Sequence, residues 1–431
     1  MARQLRQLLQ PQPALERPDR EVVAAAPRTG RYREGVSTPS GTLWLRPNRE
    51  RSLLRRHPWV FSGAVAKVDG SPAPGTTVVV KASDGTALGL AAYSPASQIR
   101  ARMWTFDLDQ RVDDEFIAVR VAASTARRTN LLAGDTNAAR LVFSEADGVP
   151  GLIADRYGDT VVCQLTTASA DHWRDVLADA LAALPGVECV FERSDADVRE
   201  REDLPVRVGL LRGRAPSSDL VALEHGFRFA VDVEGGHKTG FYLDQRNARI
   251  AVGTLAEGRR VLNVFSYTGA FSVIAASRGA TAITSIDSSG PALATAARNG
   301  ELNGVDIGEL MEADAFTALR GLRDRAKQYD LICLDPPKLA NTEAQVDKAT
   351  RAYKDLNLLA IKLLAPGGML LTWSCSGAMT MDLFQKVVAG AALDARRTVR
   401  IVDRLHQPSD HPVPLAFPEA EYLKGLVLQA E

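Results

Sequence analysis

Paired cysteines are missing from this sequence. Its four cysteines, Cys163, Cys189, Cys333 and Cys375, form no C-x-x-C motif. That excludes a zinc ribbon or an iron–sulfur cluster, and no metal is expected. No disulfide framework is suggested either, which fits a reducing cytoplasm. No apolar run approaches the roughly 18 residues needed to cross a bilayer, so no membrane association is expected. The first forty or so residues lack the apolar core of a secretory signal. Residues 1–41 read as a disordered extension or a mis-set translation start. Acidic Glu16, Asp19, Glu21 and Glu34 weigh against an organelle transit peptide. Net charge is absent too, with 52 basic residues against 52 acidic. A nucleic-acid binder with this balance must gather its basic residues locally.

What is present is ordinary globular material, 45% hydrophobic and 24% charged. At 431 residues it is long enough for two or three domains. Residues 42–112 carry short β-type runs (TLWLRP, TTVVVKA, ALGLAAY, QIRARMWTF) separated by turn clusters. Residues 113–234 open on a helical pattern and continue into ADGVPGLIADRYGDTVVCQL, where a Tyr-Gly-Asp turn predicts a hairpin. Residues 235–431 alternate strand and helix, the pattern of a doubly wound α/β sheet. The last strand, YLKGLVLQ, follows its predecessor with no helix between and can insert antiparallel. That is the order of methyltransferase sheets, not of nicotinamide dehydrogenases.

Such sheets bind ligands at the carboxyl ends of their strands, where the order reverses. VLNVFSYTGAF runs from strand into helix there, offering Phe265, Ser266, Tyr267, Thr268 and Gly269 to a ligand. Asp287 ends the next strand and can accept hydrogen bonds from a ribose. Asp314 follows the third and can take an adenine amino group, although an Asp at a strand end equally serves as a helix cap. The G-x-G-x-x-G fingerprint is absent, which favours S-adenosylmethionine over a pyrophosphate cofactor.

LDPPK sets Asp335 on a rigid ledge after the fourth strand, suited to holding a planar amine-bearing base; a plain turn is the alternative. WSCSG puts Cys375 beyond the fifth. The other three cysteines sit in apolar strand-like runs and read as small buried hydrophobes. A helix starting near Met379 to Met381 is expected to lower the Cys375 pKa. A thiolate beside a base-holding carboxylate suits cytosine chemistry. Addition at carbon 6 makes carbon 5 nucleophilic, with Asp335 supporting N3 and the exocyclic amine. Methylation of an exocyclic amine needs no cysteine. RERSLLRRHPW gathers Arg49, Arg51, Arg55, Arg56, His57 and Trp59, with Arg46 just before it. It reads as an RNA-binding helix with a stacking aromatic, or else as a solvated helix face.

These residues carry a resemblance. SLLRRHPWVFSGAVA, AYSPASQIRAR, EADGVPGL, HKTGFYLDQR, VLNVFSYTGAF, LDPPK, YKDLN, WSCSG and DHPV followed by PEAEYLKG together resemble the bacterial 23S rRNA (cytosine-C5) methyltransferase family. The resemblance covers residue 42 to the end. It implies an N-terminal PUA domain, an α+β middle domain and a Rossmann-like class I methyltransferase domain with a seven-stranded sheet. It further implies Cys375 as nucleophile, S-adenosylmethionine as donor and large-subunit rRNA as partner. It tilts Tyr242 and Gln245 of HKTGFYLDQR toward the cofactor's methionine end, where Asp244 would otherwise simply cap a helix. Nothing in the chain identifies the base that removes the carbon 5 proton or decides between monomer and homodimer. A uracil-C5 or exocyclic-amine methyltransferase, or a non-catalytic RNA-binding assembly factor, stays open.

Overall fold

The computed structural model describes residues 39–236, 238–340 and 345–431, all within one compact unit. The expected extension over residues 1–41 lies outside them apart from its last three residues.

The first sheet has six strands: β1 (Gly41–Leu45), then the one-turn helix α1 (Arg51–Leu54), β2 (Trp59–Phe61), β3 (Val65–Asp69), β4 (Thr77–Lys81), β5 (Ala87–Tyr93) and β6 (Ile99–Thr105). They lie in the order β2-β6-β5-β4-β1-β3. Alternate residues point inward, as the strand period of two requires, so Leu43, Leu45, Val78, Val80, Ala101 and Met103 form one buried cluster. The basic segment expected to be a helix forms only one turn. Arg56 takes φ +66, its N–H bonds the Leu53 carbonyl and the His57 N–H bonds the Ser52 carbonyl. This Schellman closure ends the helix. Pro58 and the strand beginning at Trp59 then prevent its resumption.

The middle region follows with α2 (Asp114–Ala126), β7 (Ala138–Phe143), β8 (Leu152–Tyr157), β9 (Thr160–Leu165), α3 (Ala168–His172), α4 (Arg174–Ala182), β10 (Cys189–Ser194) and β11 (Arg207–Gly213). Its sheet runs β11-β10-β9-β8-β7. β8 and β9 form the hairpin read from the sequence, with Tyr157 opposite Thr160 and Gly158 at φ +60 between them. A two-stranded ribbon, β12 (Val221–Glu224) and β13 (Phe227–Ala230), leads into the last region.

That region comprises α5 (Arg246–Leu255), β14 (Arg260–Val264), α6 (Ala270–Ser277), β15 (Ala282–Asp287), α7 (Gly290–Leu302), β16 (Glu309–Glu312), α8 (Ala315–Asp324), β17 (Tyr329–Leu334), α9 (Val346–Leu363), β18 (Leu364–Ser374), α10 (Met381–Ala395), β19 (Val399–Leu405) and β20 (Lys424–Ala430). The seven strands run β16-β15-β14-β17-β18-β20-β19, with β20 antiparallel to both neighbours. The class I methyltransferase sheet read from the sequence is therefore present. Its central strands are apolar on both faces, as parallel strands covered by helices must be. Leu262, Val264, Ile332 and Leu334 face one core, while Val261, Leu331, Cys333 and Trp373 face the other.

Register sets the site. Val264 pairs with Ile286 and Leu334, and Leu334 with Thr372. The residues just after β14, β15, β17 and β18 thus emerge along one edge, at the point where the strand order reverses between β14 and β17. A strap between β19 and β20 ties this edge to the rest. The Asp410 carbonyl accepts from Arg128, its carboxylate accepts from the Arg140 N–H, and Phe417 packs on Trp59 at 4.8 Å.

Candidate active site

The turn after β14 is held in an unusual conformation. Phe265, Tyr267 and Gly269 all have positive φ, at 60°, 46° and 71°. Such backbone persists only where surrounding contacts determine it. Here Asp287 does so: its two carboxylate oxygens accept from the Tyr267 N–H at 2.7 Å and the Ser289 N–H at 2.9 Å. Gly269 is needed for packing as well as for its φ, because a Cβ there would lie 2.7 Å from the Ala296 side chain on α7. The expected close approach to a ligand is thus not its only constraint. Thr268 is buried, its carbonyl bonded by Asn299, while the buried Ser266 hydroxyl has no partner. Asp314 is exposed and caps α8, its Oδ1 taking both the N–H and the hydroxyl of Thr317.

Opposite this turn, Tyr242 meets Tyr267 edge to face at 5.2 Å. Gln245 donates to Asp335 Oδ2 at 2.7 Å, leaving its own buried carbonyl oxygen unpartnered. Asp244 does not cap a helix. It accepts from the Tyr422 hydroxyl at 2.6 Å, and its other oxygen is buried without a partner. Three unpartnered buried oxygens, on Ser266, Gln245 and Asp244, therefore gather around the strand ends. Unpaired polar atoms are costly unless a ligand satisfies them. A donor bearing an ammonium group and ribose hydroxyls matches such oxygens together with Asp287, so these residues fit S-adenosylmethionine.

The two carboxylates are driven apart. Burial alone would raise Asp244, but Lys238, His411 and the Tyr422 hydroxyl bond hold it at about 2. Burial and the neighbouring Asp244 charge push Asp335 up to about 7, against the Gln245 hydrogen bond. Cys375 is half-buried, and burial with the Asp335 charge pushes its thiol up to about 11. The helix begins at Met381 as expected, but the expected lowering is not found, because burial and the Asp335 charge outweigh it. Both push Cys375 toward the thiol form.

Cys375 is fixed by neighbours that the sequence reading missed. Ser374 donates to the Tyr353 hydroxyl at 3.0 Å, Tyr353 bonds Ser376 at 3.2 Å, and Ser376 accepts the Ala340 N–H. The cysteine loop is thereby tied to the Asp-Pro-Pro ledge. Behind it the buried Lys424 donates to the Ser376 carbonyl at 2.8 Å, and burial lowers its pKa to about 8. YKDLN and YLKG were visible as motifs, but one lies on a helix and the other on a strand, so spacing alone carried no chemistry.

The basic segment is only partly free. Arg46, Arg49, Arg51, Arg55 and Arg56 are all exposed; Arg46 also donates to the Val65 carbonyl and Arg56 lies over Phe106 at 5.0 Å. His57 bonds Glu419 at 3.1 Å, and the Trp59 indole donates to Glu145 at 2.8 Å with its ring on Phe417. The half-buried Trp59, expected as a stacking aromatic, joins the first sheet to the strap through its ring.

Residues 206–428 match a family model described as S-adenosylmethionine-dependent methyltransferase, and residues 43–106 match a PUA-like domain. The protein named ribosomal RNA large subunit methyltransferase I from Shewanella amazonensis is 51% identical over 89% of this chain and 98% of its own length. The chain belongs to the ribosomal RNA large subunit methyltransferase I family. Its Aeromonas salmonicida relative is 47% identical over 90% of this chain and 99% of its own. Among solved structures, a SAM-dependent methyltransferase candidate from Streptococcus mutans superposes with TM-score 0.79 at 24% identity, covering 90% of this chain and 99% of that one. Another, in complex with SAH, gives 0.80 at 24% identity with the same coverage. At that identity these two speak for the fold. The family model over residues 206–428 makes S-adenosylmethionine the cofactor, and the strand-end residues above are where this chain would hold it.

If the Asp287 clamp organises the cofactor turn, Asp287→Ala should weaken S-adenosylmethionine binding by roughly 10²-fold, since charged hydrogen bonds are each worth about 1.5–3 kcal/mol. Calorimetric titration checks this. Unchanged affinity would move the ribose elsewhere.

Proposed function

We propose that this protein methylates carbon 5 of a cytosine in large-subunit ribosomal RNA through a covalent adduct of Cys375. The supporting observation is the placement of a half-buried thiol and a carboxylate of raised pKa on one strand-end edge, beside the cofactor turn. Relatives covering nearly the whole chain carry the rRNA methyltransferase name, and the PUA-like domain with exposed Arg49, Arg51 and Arg55 supports an RNA partner.

Bound S-adenosylmethionine supplies an electrophilic methyl group. Asp335, ionised above about pH 7, takes the Cys375 proton and passes it to N3 of the cytosine. The thiolate sulfur bonds carbon 6, and the electron pair displaced from the C5–C6 double bond makes carbon 5 the attacking atom. After methyl transfer, loss of the carbon 5 proton re-forms that double bond and expels the thiolate, which regains its proton from N3 through Asp335. Gln245 keeps Asp335 oriented, and Tyr353 with its two serines keeps the sulfur in place.

The test is nucleoside analysis of large-subunit rRNA, or of its fragments, after incubation with purified protein and S-adenosylmethionine. The expected product is 5-methylcytosine. An N-methylated base or 5-methyluridine as sole product would overturn the cytosine reading.

A further inference from the structure

A cleft of about 330 Å³ opens between the first sheet, α2 and the β19–β20 strap. None of the strand-end residues described above lines it. Its size falls in the range of small-ligand sites. Two guanidiniums line it, from Arg56 and Arg120. Arg56 lies over Phe106 at 5.0 Å and Arg120 over Phe116 at 4.8 Å. Neither side chain has a carboxylate or other hydrogen-bond acceptor among the described residues. Arg56 is exposed and Arg120 half-buried, whereas the half-buried Arg140 and Arg174 are paired with Asp155 and Glu192. Burial and the nearby Arg127 lower the pKa of Arg120, as a crowded cation without a counter-charge requires.

Trp104 lines the cleft at 2% exposure, and its indole N–H has no acceptor. Two carboxylates also border the space. Glu145 is saturated by Arg102, Trp59 and Ser144, and Asp107 accepts the Asp109 N–H in its own turn. The cleft therefore offers two guanidiniums without a counter-charge beside an apolar wall of Phe106 and Phe417.

We propose that this cleft is a nucleotide subsite, holding one unpaired RNA nucleotide away from the reacting base. Arg56 and Arg120 grip its phosphodiester, and the phenyl rings take its base or ribose. The subsite rests on the RNA reading above. It adds that the strap, which also carries Tyr422 toward Asp244, is gripped from its far end by the same RNA.

The experiment uses the full chain, a labelled large-subunit rRNA fragment that the wild type methylates, and a salt series. The double variant Arg56→Gln and Arg120→Gln should bind that RNA roughly 10- to 100-fold more weakly. Its slope of log affinity against log salt should shrink by roughly 0.7 for the one phosphate lost. KM for RNA should rise with little change in kcat, and Arg120→Lys should recover part of the loss. S-adenosylmethionine affinity should stay at the wild-type value, which controls for folding. A double variant with wild-type RNA affinity and salt slope would overturn the subsite while leaving the proposed function standing. A wild type that binds and methylates no rRNA would overturn both.

Discussion

Cys375→Ala is expected to abolish methylation, with turnover falling on the order of 10⁴-fold or more, while S-adenosylmethionine binds as before. The size of the effect follows from the chemistry. Without a nucleophile at carbon 6, carbon 5 of cytosine has no electron density to offer a sulfonium methyl. The preserved binding follows from the geometry. The cofactor turn is held by Asp287, and the cysteine loop is held by Ser374, Ser376 and Tyr353, none of which depends on the sulfur. Cys375→Ser should be nearly as inactive, because an alkoxide is far harder to form than a thiolate. Single-turnover methylation with matched calorimetry reads both quantities. Appreciable turnover by the alanine variant would mean that the methyl group goes to an atom needing no covalent help.

Asp335→Asn is expected to lower kcat by about 10²- to 10⁴-fold, the usual range for a lost proton carrier. The wild-type profile carries the sign. With Asp335 at about 7 and Cys375 at about 11, the competent pairing of carboxylate and thiol is populated between those values. Activity should therefore rise tenfold per pH unit below about 7 and level off above it. The variant should lose that inflection. Stability moves the other way. A carboxyl whose folded pKa lies above its unfolded value favours the fold fully below the unfolded pKa and loses that contribution as pH rises through about 7. An amide at this position would carry no such loss. The variant should melt a few degrees higher than wild type at pH 8, with the difference closing toward pH 4. A variant that is less active and also less stable at pH 8 would point to damaged packing.

Much of this was legible in the chain because strand-end chemistry is local. The β14 turn, Asp287, Asp335 and Cys375 each follow an apolar run, and a parallel sheet necessarily brings such ends together. The hairpin at Tyr157 was legible for the same reason, since turn and strands are contiguous. What escaped depended on contacts far apart in sequence. The raised pKa of Asp335 comes from burial and from Asp244, on another segment, and the high pKa of Cys375 from burial that no spacing reveals. Trp59 reads as a stacking aromatic, and its contacts with Phe417 and Glu145, from two distant segments, could not be read from spacing. The basic helix was lost to one left-handed residue, Arg56, where glycine would have signalled the stop.

The bond between Cys375 and the ring is best tested by trapping it. Substrate rRNA carrying 5-fluorocytosine has no carbon 5 proton to lose, so the reaction should stall with enzyme and RNA joined. Incubated with S-adenosylmethionine, wild-type protein should form a complex that survives denaturing gels, with the RNA mass on the peptide containing Cys375 and none formed by Cys375→Ala. Methylation of unmodified RNA without any trapped complex, or a complex through another residue, would contradict the mechanism.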